Sequence, residues 1–154
     1  MSLNNFHPKT GHVLICDFTR GFMPPEMIKR RPVVVISRTA THSSRLCTIV
    51  PLSTTAPQPI ETWQVPLSTN PLKSTHAEPK VWAKCDMLYT VSFDRLDLPA
   101  PLNQPHSHRG LTPRLSSRDL DAIFRGVKNY LPDMSLSVEG ATREGLSRPW
   151  IVKN

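Results

Sequence analysis

The chain predicts a mainly β fold with one C-terminal helix, built as a small barrel or curled antiparallel sheet. Three observations carry that expectation. Sixteen prolines are spread through 154 residues between short apolar runs, which fits short strands punctuated by many turns. Those runs are β-branched or alternate with a period of two. Only the segment after Ser116 repeats its apolar residues at helical spacing.

Taken in order, residues 1–10 read as a loose N-terminal arm. His12 to Phe18 follows the turn signal Thr10-Gly11 and reads as a first strand. Thr19 to Arg30 is a loop broken by Gly21, Pro24 and Pro25. Pro32 to Ile36 is a continuous β-branched run, the pattern of a strand buried on both faces, with proline at its tolerated first position. A polar turn, Arg38 to Arg45, leads to a third strand, Leu46 to Leu52. Thr62 to Leu67 alternates and puts Trp63, Val65 and Leu67 on one face. Val81 to Asp86 and Met87 to Val91 supply one or two more strands, five or six in all.

Pro99 to Pro113 reads as a long loop. The helix over 117–131 then presents Leu120, Ile123, Phe124, Val127 and Leu131 as one apolar stripe. Ser116 is its expected N-cap and Pro132 its stop. Residues 133–154 form a polar tail in which Trp150 is the one anchor candidate. There is no internal repeat. The organisation is therefore an arm over 1–10, a domain over 11–132 and a tail over 133–154.

No apolar run approaches the roughly 18 residues of a membrane helix, and Met1 to Thr10 lacks a signal-peptide core. A cytoplasmic protein with no membrane partner is expected. Three widely spaced cysteines, Cys16, Cys47 and Cys85, suit neither a disulfide framework nor a zinc knuckle. Buried free thiols are expected instead. Formal net charge is +7, with the excess of Lys and Arg in the first and last thirds. A basic chain of this size commonly meets a polyanion, either nucleic acid or an acidic partner protein.

Lys84-Cys85-Asp86 sits on a strand, so Lys84 and Asp86 share one face and Cys85 takes the other. Asp86 could remove the proton from a ribose 2′-hydroxyl, which then attacks the adjacent phosphorus, with a cation steadying the phosphorane. No metal or cofactor is required for that chemistry. A surface ion pair would use the same residues. Arg31 stands at the mouth of the β-branched run, where a guanidinium fork suits a phosphate; it could equally guard a strand edge. Ser53 or Thr54, at the end of the third strand, could donate to a phosphate oxygen, or serve as ordinary turn hydroxyls. Lys29, Arg30, Arg20 and Glu26 flank these positions as RNA-binding candidates. Among the histidines, His76 is the candidate general acid, and a loop or exposed setting is expected for each. His106 and His108 lack the company of a metal site. The ten aromatics form no basic–aromatic ladder for single strands.

In order and spacing, Gly11-His12-Val13, Arg31-Pro32-Val33, Ile49-Val50-Pro51-Leu52-Ser53-Thr54, Lys84-Cys85-Asp86 and Arg95-Leu96, followed by the helix, resemble the MazF/PemK/Kid toxins of toxin–antitoxin pairs. The resemblance covers roughly residues 10–131. It implies an SH3-like β-barrel with a C-terminal helix, acting as a homodimer. It implies a sequence-specific, metal-independent endoribonuclease that cuts single-stranded RNA to a 2′,3′-cyclic phosphate. A cognate antitoxin would inhibit it by laying an acidic segment across the basic groove, and the joint complex would bind DNA. Arg31 looks like the phosphate-binding, catalytic arginine. Ser53, or Thr54 with a one-residue shift, looks like the conserved hydroxyl, and Asp86 like the general base of the Kid-type branch. The insert Pro99–Pro113 and the tail after Pro132 exceed the family's common core, and the chain departs from that branch in two places. Lys84 replaces an arginine, and the loop Thr19 to Glu26 holds no histidine. Two other readings compete: a gyrase poison of the CcdB kind on the same fold, and a non-catalytic RNA-binding barrel.

Overall fold

The computed structural model describes residues 6–72, 80–99 and 112–132. It contains strands β1 (Val13–Cys16), β2 (Arg31–Val35), β3 (Leu46–Ser53), β4 (Gln64–Pro66), β5 (Trp82–Lys84), β6 (Tyr89–Ser92) and β7 (Leu96–Asp97), then helix α1 (Ser117–Tyr130). All pairings are antiparallel, in the order β4-β5-β3-β2-β1-β7. The strand count exceeds the expected five or six because the short β7 pairs with β1.

β3 is the spine. One edge of it pairs with β2, while the other pairs with β5 through Leu52 and Ser53 and with β6 through Leu46 to Ile49. β6 and β7 lie at opposite ends of the five-stranded part of the sheet, yet only the 3-10 turn Phe93–Arg95 joins them. The sheet must therefore curl until its ends approach. The expected barrel is realised as a curled sheet whose ladder stays open among the described residues.

Curling divides the core in two, which explains the unbroken Val33-Val34-Val35 run. Val33 and Val35 join Leu14, Cys16, Phe18, Ile49, Phe93 and Leu96 inside the curl. Val34 joins Val13, Val50, Leu52, Val65, Ala83, Cys85 and Ile123 between the other face and α1. Trp63, Val65 and Leu67 also lie on this helix side, as the alternation predicts. All three cysteines are free and buried. Burial pushes the thiols of Cys16 and Cys85 up to about 12 and that of Cys47 to about 11. Iodoacetamide at pH 8 should leave all three unlabelled in native protein and label all three after unfolding. The unfolded chain releases these protons first, so stability should fall as the pH rises past 9.

α1 starts where Ser116 Oγ accepts from the Asp119 backbone N–H at 3.1 Å, the expected N-cap. The Asp119 carboxylate is buried and accepts from the Ser68 N–H and hydroxyl, tying the helix start to the chain after β4. The buried line of the helix is Asp119, Ile123 and Gly126, with Leu120, Ala122 and Val127 half-buried beside it. This corrects the expected stripe, since Phe124 is 41% exposed and Leu131 49%. A Cβ on Gly126 would stand 2.7 Å from Val65 Cγ2 and 2.8 Å from Cys85 Sγ. The missing side chain lets the helix seat closely there, and that contact sets its rotation. Phe124→Ala should accordingly cost about 1 kcal/mol or less, not the roughly 3–5 kcal/mol of a buried phenylalanine. Thermal melts of the two proteins check this.

Two further expectations change. The described part of the arm is held: Pro8 is buried, and the Thr10 hydroxyl donates to the Ser37 carbonyl at 2.7 Å. His42 is 1% exposed, not a surface histidine, and sits in the 3-10 turn Thr39–Ser44. Its Nδ1–H donates to the Pro8 carbonyl, and its Nε2 accepts from the Ser37 hydroxyl. Fixing the arm gives this imidazole one of its two partners, and Ser37, just after β2, is the other. β4 is a sheet edge; its Gln64 N–H bonds back to the Glu61 carbonyl, and Pro66 has no N–H to offer. The loop 99–113 lies largely outside the described residues, and the tail 133–154 wholly so.

Candidate active site

Arg31 opens β2 and Ser53 closes β3. The register pairs Val33 with Pro51. Continued for two residues it sets Arg31 opposite Ser53, at one end of the sheet. Arg31 is half-buried, and its Nε–H is buried without a hydrogen-bond partner among the described residues. Such a donor is costly unless something bonds it. Ser53 is buried, and its Oγ accepts from the Thr55 N–H, which leaves the hydroxyl hydrogen free to donate. Thr54 is exposed, one residue on, and by strand alternation belongs to the opposite face.

Ser53 pairs in turn with Trp82, and Lys84 pairs with Gln64. Alternation places Arg31, Ser53, Trp82, Lys84 and Gln64 on the sheet face that turns away from α1. β5 ends in a tight turn, closed by the Met87 N–H to the Lys84 carbonyl. Asp86 sits in that turn. Its carboxylate accepts from Gln64 Nε2 at 3.1 Å, not from Lys84. The expected Lys–Asp pair is therefore replaced by an amide–carboxylate contact. Cys85, between them, faces the helix as expected; burial and then the Asp86 charge hold its thiol protonated.

The face thus carries two groups of polar side chains. Arg31 and Ser53 stand at one end, and Lys84, Gln64 and Asp86 toward the other. Asp86 lies four residues past Trp82 and in the turn that follows β5, so its separation is under the roughly 13 Å of a fully extended strand. An extended single strand laid along β5 would meet both groups. The two can supply a phosphate fork, a hydroxyl donor, an ammonium and a carboxylate base, which together suit attack by an internal hydroxyl on a phosphodiester.

The other candidates sit around this face. Arg30 is exposed and paired with Asp97 at 2.6 Å, and Lys29 beside it is exposed. Arg20 and Glu26 are exposed in the β1–β2 loop, where Glu26 accepts from the Met23 N–H. Arg95 staples this loop. Its Nη1 donates to the carbonyls of Asp17 and Arg20, and its guanidinium lies 4.9 Å from the centre of the Phe22 ring. His76 lies outside the described residues. Among the described residues no three His, Cys, Asp or Glu side chains gather as a metal site. A groove of about 460 Å³ between β4 and α1, lined by Thr62, Val65, Arg125 and Gly126 among others, is on the helix side.

Sequence reasoning missed Gln64. The only signal available was that it is the polar member of an alternating strand.

Comparison with known proteins agrees with this architecture. Residues 9–131 match the family described as PemK-like, MazF-like toxins of type II toxin–antitoxin systems. The chain is 32% identical to the uncharacterized Escherichia coli (strain K12) protein YifN, over 86% of this chain and 97% of that one. It superposes on MazF of Deinococcus radiodurans with a TM-score of 0.57 at 16% identity, covering 80% of this chain and 94% of that one. An endoribonuclease from a mycobacterial species, solved with its cognate antitoxin, gives 0.55 at 15% identity over 80% and 93% of the two chains. No helix among the described residues is long and apolar enough to cross a membrane.

Proposed function

From the premise that this chain belongs to the PemK-like, MazF-like toxins of type II toxin–antitoxin systems, we propose that it is a metal-independent endoribonuclease cutting single-stranded RNA. The observation that carries this reading is the buried Nε–H of Arg31, unpartnered among the described residues, at the strand end shared with Ser53. It is a donor that a phosphate would satisfy.

In the proposed reaction Asp86 takes the proton of a ribose 2′-hydroxyl. The freed oxygen attacks the neighbouring phosphorus. Arg31 and the Ser53 hydroxyl hold the non-bridging oxygens as charge builds on them. Lys84 balances the charge beside Asp86 and is the ammonium available to protonate the departing 5′-oxygen. The products are a 2′,3′-cyclic phosphate and a 5′-hydroxyl. Because the nucleophile belongs to the RNA, no metal is needed to generate it. Lys29 and Arg30 would hold flanking phosphates, since an exposed ion pair such as Arg30–Asp97 is weak enough to yield. Thr54, Arg20, Glu26 and His76 are secondary candidates.

The partner we propose is an acidic antitoxin, as suits a net charge of +7, with the toxin acting as a cytoplasmic homodimer. Family membership and a mycobacterial structure solved with its antitoxin support the antitoxin partner.

The test is a long single-stranded RNA incubated with purified protein in EDTA, with the fragment ends mapped. Discrete cuts ending in 2′,3′-cyclic phosphate, lost in Asp86→Ala, are expected. A folded protein that leaves RNA intact would overturn the reading in favour of a gyrase-type poison or an RNA-binding barrel.

A further inference from the structure

Gln64 lies opposite Lys84 on β4, is only 9% exposed and donates through Nε2 to Asp86. An ionised carboxylate only accepts, so the amide nitrogen must be the end that faces it. This fixes the other end: Oε1 is buried and has no partner among the described residues. A buried, orphaned acceptor is an unusual fault to leave beside a carboxylate, unless a ligand donor fills it.

We propose that Gln64 both positions Asp86 and reads a base of the RNA next to the scissile phosphate, with Oε1 accepting from an exocyclic amino group. This rests on the nuclease reading above. Adenine, cytosine and guanine each carry such an amino group. Uracil offers only its ring N–H, flanked by two carbonyl oxygens that would face the Asp86 carboxylate. One position beside the cut should therefore favour amino-bearing bases over uracil. Because the Gln64 nitrogen is committed to Asp86, the amide cannot flip to accommodate uracil.

Two variants test this, in a library of short single-stranded RNAs randomised around the cut. Gln64→Met keeps the side chain's length and removes both polar atoms. It should reduce the preference against uracil at that one position by roughly 10–100-fold in relative kcat/KM, leaving other positions unchanged. Gln64→Glu keeps an acceptor but sets a second carboxylate beside Asp86. The added negative charge favours protonated Asp86, so the acid limb of the kcat/KM–pH profile should move to higher pH. A merely structural glutamine would lower activity uniformly in Gln64→Met and leave the base preference unchanged. Parent cleavage with an unchanged base preference in Gln64→Met and an unmoved acid limb in Gln64→Glu would overturn this assignment and leave the nuclease standing. Failure of the parent itself to cut would overturn the nuclease reading and this assignment with it.

Discussion

Arg31→Ala protein should leave RNA uncut under conditions where the parent cuts to completion, a loss on the order of 10³-fold. Its thermal midpoint should stay close to the parent's. Two opposing effects act on stability. The truncation removes a buried donor that has no partner among the described residues, which relieves a desolvation cost of about 1–3 kcal/mol. It also loses the packing of the aliphatic stem. Arg31→Lys separates charge from geometry. It keeps the cation but loses the planar fork, so it should restore only a small part of the rate. The decisive comparison is single-turnover cleavage of the three proteins on one RNA. An Arg31→Ala variant that cuts at the parent rate would remove this residue from the mechanism.

The second large effect concerns the helix. Gly126→Val should destabilise by about 3 kcal/mol, roughly 10 °C in Tm for a domain of this size. Replacing glycine in a helix ordinarily gains up to about 1 kcal/mol from propensity. Here the new atoms would enter space already taken by Val65 Cγ2 and Cys85 Sγ. Val65 belongs to β4 and Cys85 follows β5, so neither can withdraw far. Gly126→Ala should fall between the parent and the valine variant. A Tm that rises with either substitution would mean that the helix does not seat this closely.

How much of this was legible in the sequence differs between backbone and side chains. The strands could be read because β-branched runs and alternation report burial directly. Val33 to Val35 and Trp63-x-Val65-x-Leu67 behave as their patterns predict. Existence, start and stop of the helix followed from Ser116, the apolar spacing and Pro132. Its rotation did not, because counting apolar residues favours Phe124 and Leu131, whereas the absent side chain of Gly126 decides the contact. In the candidate site, Arg31, Ser53 and Asp86 stood out as residue types at strand ends. That Asp86 is met by Gln64 and not by Lys84 depends on the β4–β5 register. No local pattern encodes a pairing across a twenty-residue separation. His42 and Asp119 were missed as buried groups for the same reason. Their partners, Pro8 and Ser68, come from elsewhere in the chain.

The outer rim of β4 bears on how this protein survives at high concentration. Trp63 and Leu67 bond inward to β5, and Val65, midway between them, shares their side of the ladder. The rim therefore exposes the backbone of Gln64 and Pro66. The first N–H is already spent on Glu61, and the second residue has none. A stray strand approaching this rim would find carbonyl acceptors but no donor, so it could not complete a ladder. This edge of the sheet is in this way guarded against strand addition and growth into aggregates.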